Sequence, residues 1–312
     1  MRGVALDRAH TADQWPEDSG VGGPWWQEPH TPGAPLTWSS IGLDAMALML
    51  VVSLRKQGSR SFAARCQWPR LHPLNERAVP VPHHPLIVVE STRQLALALE
   101  RRHLPPTCLP PLDPVSVSLG LDFRVRPTEY ASATDVAVRL ILSDRAPQSG
   151  PLARYRLTAE YLHGGTPFAS CTMQFARPAP AGPHRDDEPA LPACLSPAAA
   201  AVGAAADLDV MLARAPQGKV VIVPRDPRHP VLLPGRPTRL PVLAVLEAGR
   251  QATLLNSGMT AAAVTGLRMQ LHGPVPLRGA EIDVATETGG TRVLVTAAGH
   301  IAATGTFTLV RP

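Results

Sequence analysis

The sequence predicts an α+β fold built from two copies of one unit, each an antiparallel sheet wrapped around a single long helix. Three observations carry this. Moved by 157 positions, HPLNERAVPVPHHPLIVVESTRQ (72–94) lies on HPVLLPGRPTRLPVLAVLEAGRQ (229–251) without a gap. His72 meets His229, Pro73 meets Pro230, Pro80 meets Pro237, and Glu90, Arg93 and Gln94 meet Glu247, Arg250 and Gln251. Such agreement marks duplication of one domain. Second, each copy holds a long apolar stretch, about Leu86–Arg102 and Leu243–Asn256, whose polar Glu and Arg are surrounded by apolar residues, as in a helix buried on most sides. Third, four alternating runs follow each stretch.

Taken in order, residues 1–36 hold PWWQEPHTPGAP and little periodicity, and are expected to form a mobile arm anchored through Trp25 and Trp26. The first unit is expected over 37–178. Strands ALMLVVSL and SFAARCQW precede its helix, and VSVSLGLDFRV, TDVAVRLILS, ARYRLTAEYL and PFASCTMQF follow it. HGG at 163–165 reads as a hairpin turn, since no G-x-S-x-G accompanies it. A Pro/Ala-rich linker spans 179–200. The second unit, 201–312, repeats the order with DVMLAR and KVVIVPR before the helix and AVTGLRMQL, AEIDVATE, RVLVTAAG and IAATGTFTLV after it. One buried helix wrapped by an antiparallel sheet is the hotdog pattern, so the expected architecture is a tandem double hotdog with a continuous sheet.

Composition narrows the function. The chain has 312 residues, 45% hydrophobic and 18% charged, a globular balance. Aromatics at 4% leave few stacking surfaces for single-stranded nucleic acid. Of the net charge of +5, nearly all the positive part is arginine, and it is dispersed rather than gathered into a nucleic-acid tail. The longest apolar run, Ala45 to Val52, is too short to span a bilayer, and no secretory signal is evident. Cys66, Cys108, Cys171 and Cys194 show no C-x-x-C spacing and are expected to be packed thiols of a cytoplasmic protein. No phosphate-binding loop, dinucleotide fingerprint or metal-ligand spacing is present, and no cofactor is expected.

Glu90 and Arg93, like Glu247 and Arg250, lie three apart and share a helix face. Burial of either charge alone is expensive, so an internal ion pair is one outcome. The other is chemistry, with Glu as general base on a hydroxyl and Arg holding a phosphate or oxyanion. Backbone N–H groups near Pro85–Ile87 or Val242–Ala244 could polarise a thioester carbonyl. His83 and His84, close to the helix start, are the better histidine candidates for catalysis; His72 and His229 sit in His-Pro turns. Arg124, Arg126, Arg236 and Arg239 could line a basic rim.

The segments HHPLIVVESTRQ and HPVLLPGRPTRLPVLAVLEAGRQA resemble the two repeats of the AfsA family, the hotdog proteins of A-factor (γ-butyrolactone) biosynthesis, over roughly residues 40–312. The resemblance implies an acyltransferase that joins a β-ketoacyl chain from acyl carrier protein to dihydroxyacetone phosphate, on the way to a butenolide, γ-butyrolactone or furan-type signal. It implies catalytic roles for Glu90, His83 and Glu247, and substrate contacts from Arg93, Gln94, Arg250, Gln251, His72 and His229; Arg239, which stands where the family has a histidine, could instead bind the phosphate of a small co-substrate. The partners are then the acyl carrier protein and dihydroxyacetone phosphate, with neither nucleic acid nor membrane, in a monomeric double hotdog or a homodimer. The sequence departs from the family before the second helix, where Thr238-Arg239 stands in place of Asp-His and Val242 in place of a glycine. A hotdog acyl-thioesterase or hydroxyacyl-dehydratase, and a non-catalytic acyl binder, are the competing expectations. Since Arg239 cannot act as a base, repeat two is expected to rely on Glu247 alone, with the more active site in repeat one.

Overall fold

The structure is a computed structural model, and it describes residues 35–75, 81–104, 112–129, 133–146, 154–177, 193–259 and 262–310. Repeat one contributes β1 (Val51–Lys56), β2 (Ser61–Pro69), β3 (Val81–Pro82), α1 (Leu86–His103), β4 (Asp113–Leu121), β5 (Thr128–Glu129), β6 (Ala133–Ala146), β7 (Arg154–His163) and β8 (Thr166–Ala176). Repeat two contributes β9 (Leu212–Arg214), β10 (Val220–Ile222), α2 (Val242–Ser257), β11 (Ala263–Leu271), β12 (Glu281–Glu287), β13 (Gly290–Ala297) and β14 (His300–Val310).

Twelve strands form one sheet in the order β1-β2-β6-β7-β8-β4-β11-β14-β13-β12-β10-β9, while β3 and β5 pair separately. Read outward from the centre, both halves have the same strand order. They join where β4 runs antiparallel to β11, with Gly120 opposite Gly266 and Val117 opposite Met269. The molecule is thus a tandem double hotdog, with one helix per repeat held by the shared sheet.

Burial follows the two periodicities. Alternate residues Tyr155, Leu157, Ala159 and Tyr161 of β7 are buried, as a sheet with one covered face requires. The helices are buried nearly all round: Leu86–Thr92 on α1 and Val242–Leu254 on α2 are continuous buried runs. Each fully buried leucine there contributes about 1.5–3 kcal/mol. Most polar groups inside are paired: the Trp68 indole N–H donates to Ser91 Oγ at 2.9 Å, and Thr92 Oγ1 lies 2.7 Å from Tyr161 Oη. Pro85 and Pro241 precede the helices, and Gly258, at φ 64°, lets the chain leave α2 in a left-handed turn.

The duplication extends further than the sequence shows. Ser39–Ile41 and Ala199–Val202 are 3₁₀ turns closed by left-handed Gly42 and Gly203, and Met46–Leu48 and Asp207–Asp209 are a second matching pair. These pairs are offset by 161 positions rather than 157, because the hairpin from β1 to β2 is longer than that from β9 to β10. Leu48 therefore corresponds to Asp209, and Leu50 to Met211. Both outer strands are bridged by chain that precedes them, Pro35 beside Ser53 and Leu195 beside Arg214.

Some expectations shift. The strand expected to run to Val125 stops at Leu121, and 122–127 turn away. The end of the expected linker carries the 3₁₀ turn at 199–202, while 178–192 and the arm up to residue 34 lie outside the described residues. No helix among the described residues is long and apolar enough to cross a membrane.

Candidate active site

Each central helix carries the same three-residue clamp. In α1, Arg93 donates Nε–H to Glu90 Oε2 and Nη2–H to Glu90 Oε1, both at 2.8 Å, and Gln94 Nε2 donates to Glu90 Oε1 at 2.9 Å. Gln94 also ties the helix to the chain entering β1: its Nε2 donates to the Leu48 carbonyl and its Oε1 accepts from Leu50 N–H. In α2, Arg250 grips Glu247 at 2.8 and 2.7 Å, and Gln251 bridges Glu247, the Asp209 carbonyl and Met211 N–H in the same way. A motif spaced i, i+3, i+4 places all three side chains on one helix face. That face is the one on which the chain before β1 and β9 lies.

One side-chain pairing crosses between the repeats. His84, on the loop leading into α1, brings Nε2 to 3.5 Å from Glu247 Oε2 on α2. Its backbone N–H donates to Asn75 Oδ1, and its Nδ1 accepts from Leu86 N–H, which puts the ring proton on Nε2, facing the carboxylate. Burial pushes the His84 imidazole down to about 3, the pull of Glu247 in the other direction being weaker. Burial alone would raise Glu247, but Arg250, by charge and hydrogen bonds, together with His84 and Gln251, holds its carboxyl below the usual range. The pair is therefore a neutral imidazole beside an ionised carboxylate.

The other expected residues are placed as follows. His83 is buried, with Nδ1 3.1 Å from Asn75 Nδ2 and Nε2 2.7 Å from Thr134 Oγ1, and it packs edge-on against Trp68. The structure thus puts its ring in the packing under the loop, and His84, one residue on, faces the other repeat. His84 of repeat one stands beside Glu247, so the repeat-two carboxylate has a histidine neighbour although position 239 is arginine. Arg239 donates Nη2–H to Asp113 Oδ2 at the start of β4, so its charge is already matched. His72 and His229 cap equivalent turns: Nδ1 accepts from Leu74 N–H in one and from Val231 and Leu232 N–H in the other. His229 Nε2 donates to Asp209 Oδ1 at 3.0 Å, a partner the sequence did not suggest. Of the proposed rim, Arg124 lies over the Phe123 ring and Arg126 adds positive charge near His84.

The helix starts differ too. At α1, Leu86, Ile87 and Val88 N–H go to His84 Nδ1, the His84 carbonyl and the Pro85 carbonyl. At α2, Val245 N–H to the Pro241 carbonyl is the first bond made, leaving the three preceding N–H groups without a partner among the described residues. Where the repeats meet over α1, a cavity of about 210 Å³ is lined by Glu90 and Arg93 on one side and by Val231 and Gly235 on the other.

No protein-family model and no curated protein matches the chain. Solved structures do. It is similar to an acyl-ACP thioesterase from Bacteroides thetaiotaomicron VPI-5482 at 9% identity, covering 80% of this chain and 98% of that one, with a TM-score of 0.47. It is similar to the dehydratase domain from the terminal module of the rifamycin polyketide synthase at 15% identity, covering 88% and 99%, with a TM-score of 0.46. A bifunctional dehydratase-cyclase domain in ambruticin biosynthesis matches at 13% identity, covering 84% and 95%, with a TM-score of 0.47.

Proposed function

We propose that the chain is an acyltransferase that moves an acyl group from a thioester to an alcohol, with His84 and Glu247 at the reacting centre. The observation that carries this is the His84–Glu247 contact between repeats, with the carboxylate kept ionised by Arg250 and Gln251. A dehydratase needs a protonated acid to expel the β-hydroxyl as water, and a carboxylate gripped by arginine is a poor one. Acyl transfer asks instead for donors to the carbonyl oxygen and an ionised group that takes the alcohol proton as the attack proceeds, a role open to Glu247 although Arg250 makes it a weak base.

In that reaction the alcohol oxygen attacks the thioester carbon and gives its proton to Glu247, steadied by the His84 Nε2–H. Negative charge on the carbonyl oxygen is met by the unpaired N–H groups at the start of α2. The C–S bond then breaks, and the proton passes from Glu247 to the departing thiolate, leaving an ester and a thiol. The motif resemblance supports the finer assignment, a β-ketoacyl chain from acyl carrier protein and dihydroxyacetone phosphate as the alcohol.

The test is incubation with a β-ketoacyl thioester and dihydroxyacetone phosphate, followed by mass spectrometry. The phosphorylated ester is the expected product. Free acid alone would make the protein a thioesterase, and conversion of a β-hydroxyacyl thioester to the enoyl form would make it a dehydratase.

A further inference from the structure

Three polar residues of repeat one stand together where repeat two is apolar. In the 157-residue register, Asn75, His83 and His84 fall opposite Leu232, Leu240 and Pro241. Leu232 and Leu240 are buried, so the fold accepts leucine at both places. Asn75 and His83 are buried as well, and polar groups taken out of water need partners that a leucine does not. For Asn75 those partners are all present. Its Oδ1 accepts the His84 backbone N–H at 2.9 Å. Its Nδ2 donates to the Pro69 and Arg70 carbonyls, at 3.3 and 3.2 Å, and to His83 Nδ1 at 3.1 Å.

These bonds fix the amide one way round, because the end with hydrogens faces carbonyls and the bare oxygen faces an N–H. His83 Nδ1 must then accept. Its ring proton sits on Nε2, which donates to Thr134 Oγ1 at 2.7 Å. A continuous chain therefore runs from the start of β6, through His83 and Asn75, to the backbone of His84, and the end of β2 is held at the same amide. Where repeat two has proline in place of His84 there is no N–H to accept, and there the amide is missing too. We infer that Asn75 is a positioning residue for His84: it ties the loop to the end of β2 and so sets the imidazole against Glu247, while His83 and Thr134 lock the amide. Asn75 acts only through His84. Its effect on turnover rests on the acyl transfer proposed above, whereas its effect on the His84 ring does not.

The test is long-range proton–nitrogen NMR of the histidine rings in the full chain near pH 7, assigned with His83→Gln and His84→Asn. Wild-type His84 is expected as the Nε2–H tautomer alone. Asn75→Leu, which borrows the residue of repeat two, unties the loop and is expected to give a mixture of His84 tautomers. Leu142→Ala opens a hole at the far end of β6 and controls for lost stability; its His84 signals should match wild type. In ester formation, Asn75→Leu should lower kcat by about 10–100-fold with KM little changed, the mark of a misplaced group. Asn75→Ala takes its place if the leucine variant does not fold. A mixed wild-type ring, an unchanged His84 in the folded variant, an equal change in Leu142→Ala, or failure of both Asn75 variants to fold would overturn the assignment. A ring that responds as expected in a protein that forms no ester leaves the positioning in place and removes the proposed reaction.

Discussion

The imidazole of His84, from the loop of one repeat, stands 3.5 Å from the carboxylate of Glu247 on the helix of the other, and neither repeat contains the pair alone. Substitution at either end should therefore stop the same step. His84→Asn is expected to lower ester formation by about 100-fold with the fold intact by circular dichroism. Glu90→Gln is expected to cost less, since Pro241 stands at the position corresponding to His84 and, among the described residues, no imidazole reaches Glu90 in the corresponding way; steady-state turnover of the two variants decides.

Stability should rank the same two glutamates for a different reason. Glu247→Gln leaves Arg250 buried beside a neutral amide, and breaking a buried pair from one side costs about 3–5 kcal/mol. Arg93 has a route to water, so Glu90→Gln should cost clearly less. Urea denaturation midpoints of the two variants, compared with wild type, measure the gap.

Acid should weaken the fold through its buried histidines. Burial brings His72 down to about 4 and His84 to about 3 from an ordinary 6.5. Between those values the unfolded chain binds protons that the folded one refuses, so stability is full above about 6.5 and is lost as pH falls below it. Each histidine adds up to about 1.4 kcal/mol per pH unit to the slope. The urea midpoint is expected to fall between pH 6.5 and 4.5, and His72→Gln should flatten the decline.

The thiols should divide by burial. Cys66 and Cys171 are fully buried, which pushes each thiol up to about 12 and keeps the reactive thiolate scarce, while Cys194 is partly exposed. Iodoacetamide at pH 8, followed by peptide mapping, is expected to label Cys194 in the native protein, and Cys66 and Cys171 only after denaturation.

One glycine in α2 should tolerate nothing larger. A Cβ on Gly249 would sit 2.8 Å from the Phe307 ring, whereas its counterpart in α1 is Thr92, bonded to Tyr161. Gly249→Ala gains helix propensity but overpacks the core, and is expected to destabilise by about 1–3 kcal/mol in thermal unfolding.

How much of this was legible in the sequence depends on the physical range of each interaction. The helices were, because an apolar stretch carrying Glu-x-x-Arg-Gln has a period that needs no knowledge of its neighbours: Leu86–Arg102 was expected and Leu86–His103 is found. The strand order follows from the duplication. The matching turns at Gly42 and Gly203 were not legible, since four residues lost from the second hairpin break the 157-residue register. Nor was the choice between His83 and His84. Adjacent loop residues have no period to tell which faces Thr134 and which faces the other repeat.

The joining of β4 to β11 has a consequence for how such a protein can change. In a homodimer of single hotdogs, every substitution lands in both symmetry-related sites, so an alteration that helps one and harms the other is not accessible. Here the two halves are spelled separately in one polypeptide. Asp209 can be kept while position 48 drifts to leucine, and a histidine can be retained at 84 while its counterpart becomes Pro241. Covalent fusion turns an enforced symmetry into two independently editable halves, held in fixed register by the continuous backbone hydrogen bonds of the central strands.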